Sequence, residues 1–146
     1  MQLEIKIDST CKETKIIVIA EKVTDEINRI VKKLSDENFE MLAGSRNEAV
    51  ELLEPQQIIR IYASQGKVYA RTKAGEYVLR LRLYELEERL EQKGFVRISN
   101  SELVNLKKVK KFDLSLLGTI CVSLEGGEIA YVSRRYVSKI KTILGL

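Results

Sequence analysis

The sequence predicts a mainly β fold with one or two short helices, preceded by a small α/β unit. Residues 1–47 combine two strand-like stretches with one amphipathic helix, whereas residues 48–146 hold short apolar runs separated by glycine-containing turns. The chain has 146 residues, of which 45% are hydrophobic and 32% charged, so it can bury a core and stay soluble. We therefore expect two parts, with a boundary between residues 47 and 48.

The first 47 residues predict two strands followed by a helix. Apolar and polar residues alternate over 3–7, and residues 16–20 form an apolar run rich in β-branched side chains. Thr24 is a candidate N-cap. The apolar residues after it recur at i, i+3, i+4 and i+7 and form one helix face: Ile27, Ile30, Val31 and Leu34. Residues 44–47 are predicted to form a turn or short linker.

The second part is predicted to be rich in hairpins. Pro55 separates two strands expected at 48–53 and 58–62. Three glycine-containing pairs lie between apolar or alternating runs, which is typical of hairpin turns. They are Gln65-Gly66, Ala74-Gly75 and Gly126-Gly127.

Two helices are expected among these strands. The first has leucines at helical spacing, at 83, 86 and 90, and Gly94 is a candidate for its C-terminal stop. The second is predicted to begin near Ser133. Its apolar face would comprise Val137, Ile140 and Leu144.

Composition argues against most enzyme classes. The chain has no histidine, which excludes Ser-His-Asp and Cys-His catalytic groups, and its two cysteines are too few for an all-cysteine zinc site. We expect no enzyme activity, no metal and no cofactor. The N-terminal residues lack the apolar region of a signal peptide, and no apolar run approaches the roughly 20 residues of a membrane span. A cytoplasmic protein is the expectation.

The positive charge is concentrated in the last third of the chain. Residues 93–146 contain 10 basic and 4 acidic side chains, a net charge of +6, whereas residues 1–47 and 48–92 each carry −1. A local basic field favours a polyanion such as DNA through counterion release. It is also compatible with a solvated surface, or with a protein-interaction module that binds an acidic partner protein.

Three stretches of this basic third are candidates for DNA contact. The first is Ser99, Asn100 and Ser101, whose short polar side chains can reach phosphates or base edges, or can simply stabilise a turn. The second is a lysine-rich predicted strand, which suits phosphates but also protects a sheet edge from aggregation. Its candidate contacts are Lys107, Lys108 and Lys110.

The third stretch is Ser133, Arg134, Arg135 and Tyr136. If Ser133 caps a helix, both arginines lie in its first turn, where the helix dipole disfavours cations. A sequence that accepts this cost is consistent with an anion-binding role for the arginines. The alternative is two solvated arginines near Glu125 or Glu128.

The order of these stretches resembles the LytTR DNA-binding domain. The matching features are Phe95-x-Arg97, Ser101, Val104-Asn105, a basic strand, a Gly-Gly hairpin and Ser133-Arg134-Arg135-Tyr136. The resemblance covers about residues 48–146. It implies an elongated, mostly β fold that inserts loops into successive grooves on one face of DNA. It places DNA contacts on residues 99–101 and 133–136, and matches Asn105 to an asparagine of the family.

The resemblance also implies partners. They are double-stranded DNA with direct repeats in a promoter, a second copy of the chain in a homodimer, and a small membrane protein that holds the regulator inactive. The sequence departs from the family pattern at two positions. Many members have histidine at the position of Ser99 and an aromatic residue at that of Glu102, whose charge would repel DNA.

Overall fold

The computed structural model describes residues 1–36 and 41–146. The chain divides into two compact units, residues 1–39 and residues 40–146. Across the described ranges, no helix combines the length and apolar character needed to cross a membrane.

Residues 1–36 of the N-terminal unit contain one helix, α1 (Asp25–Asp36). The predicted cap is confirmed, since the Thr24 hydroxyl accepts a hydrogen bond from the backbone N–H of Ile27 at 3.3 Å. The strands expected at 3–7 and 16–20 are not formed, so that part of the prediction is wrong. Alternating apolar residues favour a strand only where a neighbouring strand pairs with the backbone, and these residues have no such neighbour in the unit.

Residues 41–146 contain ten strands, two α-helices and short 3-10 helices between some of them. The strands are β1 (Leu42–Arg46), β2 (Ala49–Leu53), β3 (Ile58–Ser64), β4 (Lys67–Thr72), β5 (Gly75–Leu79), β6 (Phe95–Ser99), β7 (Glu102–Asn105), β8 (Val109–Asp113), β9 (Ile120–Leu124) and β10 (Ile129–Val132). The helices are α2 (Leu83–Leu90) and α3 (Arg134–Ile143). The predicted mainly β fold is thus confirmed.

The strands form two antiparallel sheets. Seven strands are arranged in the order β2-β1-β5-β4-β3-β7-β6, and the other three in the order β10-β9-β8. The hairpin turns predicted at Gln65-Gly66, Ala74-Gly75 and Gly126-Gly127 join neighbouring strands as expected. The 3-10 helix Glu91–Lys93 continues α2, and Gly94 ends it with a φ of 90°, which a glycine adopts without strain, so the predicted helix stop is confirmed.

The turn expected at 44–47 lies later in the chain. Residues 44–46 belong to β1, and the turn is at Asn47 and Glu48, whose φ angles are 51° and 63°. Gly44 is needed within the strand because a Cβ there would lie 2.8 Å from Leu53 and 2.9 Å from Tyr77. The glycine therefore permits close packing in a strand, which local sequence cannot distinguish from a turn.

Two apolar clusters support the unit. One packs α2 against the seven-stranded sheet around Ile58, Ile61 and Leu86, all fully buried. The other joins the three-stranded sheet and α3 to β6 and β7, with Ile98, Val122 and Ile140 at its centre. Because Ile140 is buried, α3 is held against β6, and its N-terminus lies beside the β6–β7 turn.

Candidate nucleic-acid interface

The β6–β7 turn is held in shape by Arg97. Its Nε donates to the carbonyl of Ser99 at 2.8 Å and its Nη2 to the carbonyl of Asn100 at 2.5 Å. The Nη1 atom lies 2.5 Å from Oε2 of Glu87 on α2, which fixes the guanidinium from the other side. Charge-assisted hydrogen bonds of this kind are stronger than neutral ones, so Arg97 stabilises this conformation of the turn.

The three residues predicted to contact DNA from this turn differ in their hydrogen bonds and exposure. The hydroxyl of Ser99 accepts a hydrogen bond from the backbone N–H of Ser101 at 3.2 Å, so Ser99 helps to form the turn itself. Asn100 and Ser101 are exposed. Their side chains are therefore the accessible polar groups of this loop.

The N-terminus of α3 lies next to this turn. The backbone N–H of Ser133 donates to the carbonyl of Ile98 at 2.9 Å, which ties the start of the helix to β6. Ser133 is the N-cap, as predicted, but its hydroxyl makes no capping hydrogen bond. Arg134 and Arg135 follow in the first helical turn, and both are exposed.

A side-chain hydrogen bond joins the two predicted stretches. The hydroxyl of Tyr136 donates to Oδ1 of Asn100 over 3.3 Å. Tyr136 also packs against the second apolar cluster, so its ring is anchored while its hydroxyl reaches the turn. Residues 36 positions apart in sequence thus form one surface.

The two arginines of α3 are available to an anion. Among the carboxylates of residues 41–146, none lies within 4.0 Å of either guanidinium. Glu125 and Glu128, expected as neighbours in the solvated alternative, contact other cations, Lys108 at 3.5 Å and Arg71 at 3.2 Å. Nearby acids therefore do not neutralise the charge of Arg134 and Arg135.

The loop before β9 lies against Arg134. A Cβ at Gly118 would be 2.9 Å from Nε of Arg134, and the φ of this glycine is 76°. A larger residue would strain the backbone and displace the guanidinium. Gly118 thus sets the space in which Arg134 lies.

The predicted basic strand forms only in part. Leu106–Lys108 is a short 3-10 helix, so Lys107 and Lys108 are not on a strand, and β8 begins at Val109. The cause is Asn105, whose side-chain oxygen accepts a hydrogen bond from the backbone N–H of Lys107 at 3.1 Å. Lys110 is exposed on β8, an edge strand of the smaller sheet, while Lys107 is exposed on the 3-10 helix.

Asn105 is not accessible to DNA. It is 1% exposed, and its Nδ2 donates to the carbonyl of Ile58 at 2.9 Å while its oxygen caps the 3-10 helix. Both ends of the amide are therefore used inside the protein. Its role is to join β7 to the start of β3.

The charge of Glu102 is paired with a cation. Nε of Arg60 lies 2.8 Å from Oε2 of Glu102, and Nη2 of Arg60 donates to Oε1 at 2.9 Å. Burial raises the pKa of Glu102, and the adjacent Arg60 opposes that rise. Because Arg60 neutralises the carboxylate, the repulsion of DNA expected from this residue is reduced.

A third loop, which was not among the predicted DNA contacts, lies beside the turn. The backbone N–H of Ala63, at the end of β3, donates to the carbonyl of Ser101 at 2.8 Å. The β3–β4 hairpin turn, with exposed Gln65 and Lys67, therefore emerges at the same end of the sheet. The Gln65-Gly66 pair predicted this turn from local sequence. Its position beside the β6–β7 turn results from the pairing of β3 with β7, which local sequence does not show.

Residues 48–145 match the model of the LytTr DNA-binding domain. The chain belongs to this family. The family is one of DNA-binding domains. The match covers the β6–β7 turn, the basic region and α3.

Relatives and a solved structure agree with this membership. An uncharacterized HTH-type transcriptional regulator of Staphylococcus aureus (strain NCTC 8325 / PS 47) is 32% identical over 100% of this chain and 99% of its own length. A protein of the same description from strain MRSA252 is 31% identical over the same shares. The LytTr DNA-binding domain of a methyl-accepting/DNA response regulator from Bacillus cereus superimposes with a TM-score of 0.69 at 22% identity. The superposition covers 73% of this chain and 97% of that domain.

The LytTr unit differs from a helix-turn-helix in its order of elements. Within residues 48–145, five strands separate α2 from α3 along the chain. A helix-turn-helix joins two consecutive helices by a turn of three or four residues. In this chain α3 instead begins beside a β-turn.

Proposed function

We propose that this LytTr protein is a transcription regulator that binds duplex DNA sequence-specifically through the β6–β7 turn and the N-terminus of α3. The observation that carries the proposal is the hydrogen bond between Tyr136 and Asn100. It links the exposed turn to a helix start with two arginines that no carboxylate of residues 41–146 pairs with. Loops and helix ends of this composition supply phosphate and base contacts in DNA-binding proteins.

The cations divide into two groups by position. Arg134 and Arg135 flank the turn, and we assign them to the DNA directly. Lys107 and Lys110 are exposed further along the basic segment and fit phosphates at the edge of the interface. Lys108 lies 3.5 Å from Glu125, so DNA would have to displace that contact. As a candidate phosphate contact, Lys108 is therefore weaker than Lys107 and Lys110.

Asn100 and Arg135 are the proposed base-reading residues. Since Oδ1 of Asn100 accepts from Tyr136, its Nδ2 group remains as a donor toward solvent. A donor in the major groove suits N7 of either purine, O6 of guanine or O4 of thymine. An arginine most often donates in a bidentate manner to O6 and N7 of guanine.

The test is binding of the purified protein to fragments of its own promoter region, with genomic competitor DNA and at two salt concentrations. We expect saturable binding that survives competitor and weakens steeply as salt rises, because bound phosphates release counterions. If competitor DNA displaced the promoter fragment completely, the second candidate function would be favoured instead. That candidate is a protein-interaction module whose basic residues bind an acidic protein.

Three further properties of the complex are part of the proposal. They are an operator made of direct repeats, a homodimer on that operator, and an inhibitory membrane protein. Footprinting tests the repeats, since two protected segments on one face of the helix are expected. Co-purification from detergent-solubilised membranes tests the inhibitor. The inhibitor would be rejected if no partner were recovered and if deletion of neighbouring membrane-protein genes left the regulon unchanged.

A further inference from the structure

The loop between β8 and β9 presents leucines to solvent. Leu117 is 98% exposed, and Leu114 and Leu116 are each 46% exposed. Leu117 and Gly118 form the turn at the tip of the loop. Residues 114–119 contain no charged side chain, so the loop surface is apolar apart from two hydroxyl groups. Leucines at three of four consecutive positions form a contiguous patch, and an exposed patch of this kind marks an interaction site.

This leucine loop lies beside the start of α3. Ile120, the first residue of β9, pairs with Val132, the last residue of β10, and α3 follows directly after its N-cap Ser133. The hydroxyl of Thr119 donates to the carbonyl of Val132, which joins the end of the loop to the residue before the helix cap. The N-terminus of α3 therefore adjoins both the leucine loop and the β6–β7 turn, to which Ser133 is bonded through the carbonyl of Ile98.

Two contacts hold the loop in its conformation. The backbone N–H of Ser115 donates to the carboxylate of Asp113 at 2.9 Å, which fixes the beginning of the loop. At its end, a Cβ on Gly118 would lie 2.9 Å from Nε of Arg134, so the loop backbone packs directly on that guanidinium. Leu117, which precedes this glycine, is therefore next to an arginine that the proposed function assigns to DNA.

The charge beside the leucines indicates which ligand fits. Arg134 and Arg135 are exposed, and no carboxylate of residues 41–146 lies within 4.0 Å of them. An apolar loop next to such cations suits a ligand that presents anionic and apolar groups side by side. Duplex DNA has this character, because phosphates line its backbone and the C5 methyl group of thymine lies in the major groove. The match to a DNA-binding domain includes residues 114–117 and favours DNA over an acidic protein.

We propose that Leu117 contacts the C5 methyl group of a thymine in the operator and contributes to sequence selection. The inference rests on the proposed function and adds an apolar contact to it. Asn100 and Arg135 would recognise hydrogen-bonding groups of the bases, whereas contact with a methyl group selects thymine without a hydrogen bond. Leu114 and Leu116, which the protein covers in part, support the tip of the loop.

The test combines a protein variant with a change in the DNA. Replacing operator thymines one at a time by deoxyuridine removes the methyl group and keeps every hydrogen-bonding group. At one position this should lower the affinity of the wild type about fourfold, since a methyl group leaves water on binding. Leu117→Ala should bind the thymine operator more weakly by a similar factor and should not respond to deoxyuridine at that position. Leu52→Ala, which truncates a leucine 65% exposed on β2, is the control and should respond as the wild type does.

Arg135→Ala in the same titrations separates this inference from the proposed function. If the wild type bound no operator specifically, the proposed function would fail. If the wild type bound and Arg135→Ala weakened binding, while Leu117→Ala bound as the wild type does, only the leucine contact would be overturned. A loss of affinity for Leu117→Ala that was equal for thymine and for deoxyuridine at every position would also overturn the methyl contact. Because Leu117 is 98% exposed, its variant should unfold at the same urea concentration as the wild type.

Discussion

The hydroxyl of Tyr136 on α3 donates a hydrogen bond to Oδ1 of Asn100 in the β6–β7 turn, at 3.3 Å. This contact orients the asparagine amide and links a loop to a helix N-terminus. Because the Tyr136 ring packs against an apolar cluster, this packing holds the hydroxyl in position. The pair therefore organises the proposed DNA interface before DNA is present.

Loss of this hydroxyl should weaken DNA binding. Tyr136→Phe keeps the ring packing and removes the hydrogen bond, so the free energy of specific binding should fall by about 0.5–1.5 kcal/mol. The free energy of unfolding should change little. Fluorescence anisotropy with labelled operator DNA measures the affinity. Tyr131→Phe is the control, since Tyr131 is 58% exposed on β10 and should bind as the wild type does.

Removal of Arg135 should have a larger effect. Arg135→Ala should cost about 1–3 kcal/mol of specific binding if the guanidinium contacts a guanine edge. Arg89→Ala removes an exposed arginine from α2 and should change affinity by less than about 0.5 kcal/mol. Titration of both variants at one salt concentration makes the comparison. Equal affinities would contradict the assignment of Arg135.

The two asparagines should behave in opposite ways. Asn105→Ala leaves the carbonyl of Ile58 without its donor inside the protein, so the free energy of unfolding should fall by about 1–3 kcal/mol. Asn100→Ala should leave stability nearly unchanged and weaken DNA binding. Urea unfolding and operator titration of each variant test this. If the Asn105→Ala variant, while still folded, bound operator DNA more weakly than the wild type does, Asn105 would belong to the interface after all.

Stability should depend on pH through Glu102. Burial raises the folded pKa of this carboxyl above its ordinary value of 4.5, although Arg60 opposes the rise. The folded state therefore binds the proton more tightly than the unfolded state does. The resulting stabilisation is complete below pH 4.5 and is lost as pH rises through the folded pKa.

A comparison with Glu102→Gln isolates this effect. The glutamine does not titrate, so the free energy of unfolding of the wild type should decrease relative to that of the variant as pH rises above 4.5. Urea unfolding at a series of pH values measures the difference. A difference that is constant with pH, or that grows in favour of the wild type, would contradict a raised pKa.

Local signals predicted the elements of the LytTr unit well. The Gln65-Gly66 turn, the α2 leucines and the stop at Gly94 need only neighbouring residues to be recognised, because turn chemistry and helical spacing act over a few positions. Gly44 was misassigned because its role is to approach Tyr77, 33 positions away in sequence. The N-terminal strands were misassigned because their pattern requires a pairing partner that the unit does not contain.

By itself, the sequence determined which residues carry the basic charge, which segments become strands or helices in the LytTr unit, and which polar residues are candidates for DNA. Only the tertiary structure decided how those candidates are used. It buried Asn105 beneath the carbonyl of Ile58 and joined Asn100 to Tyr136. The physical reason is that exposure and hydrogen bonding between distant residues depend on which strands become neighbours, and local periodicity does not contain that information.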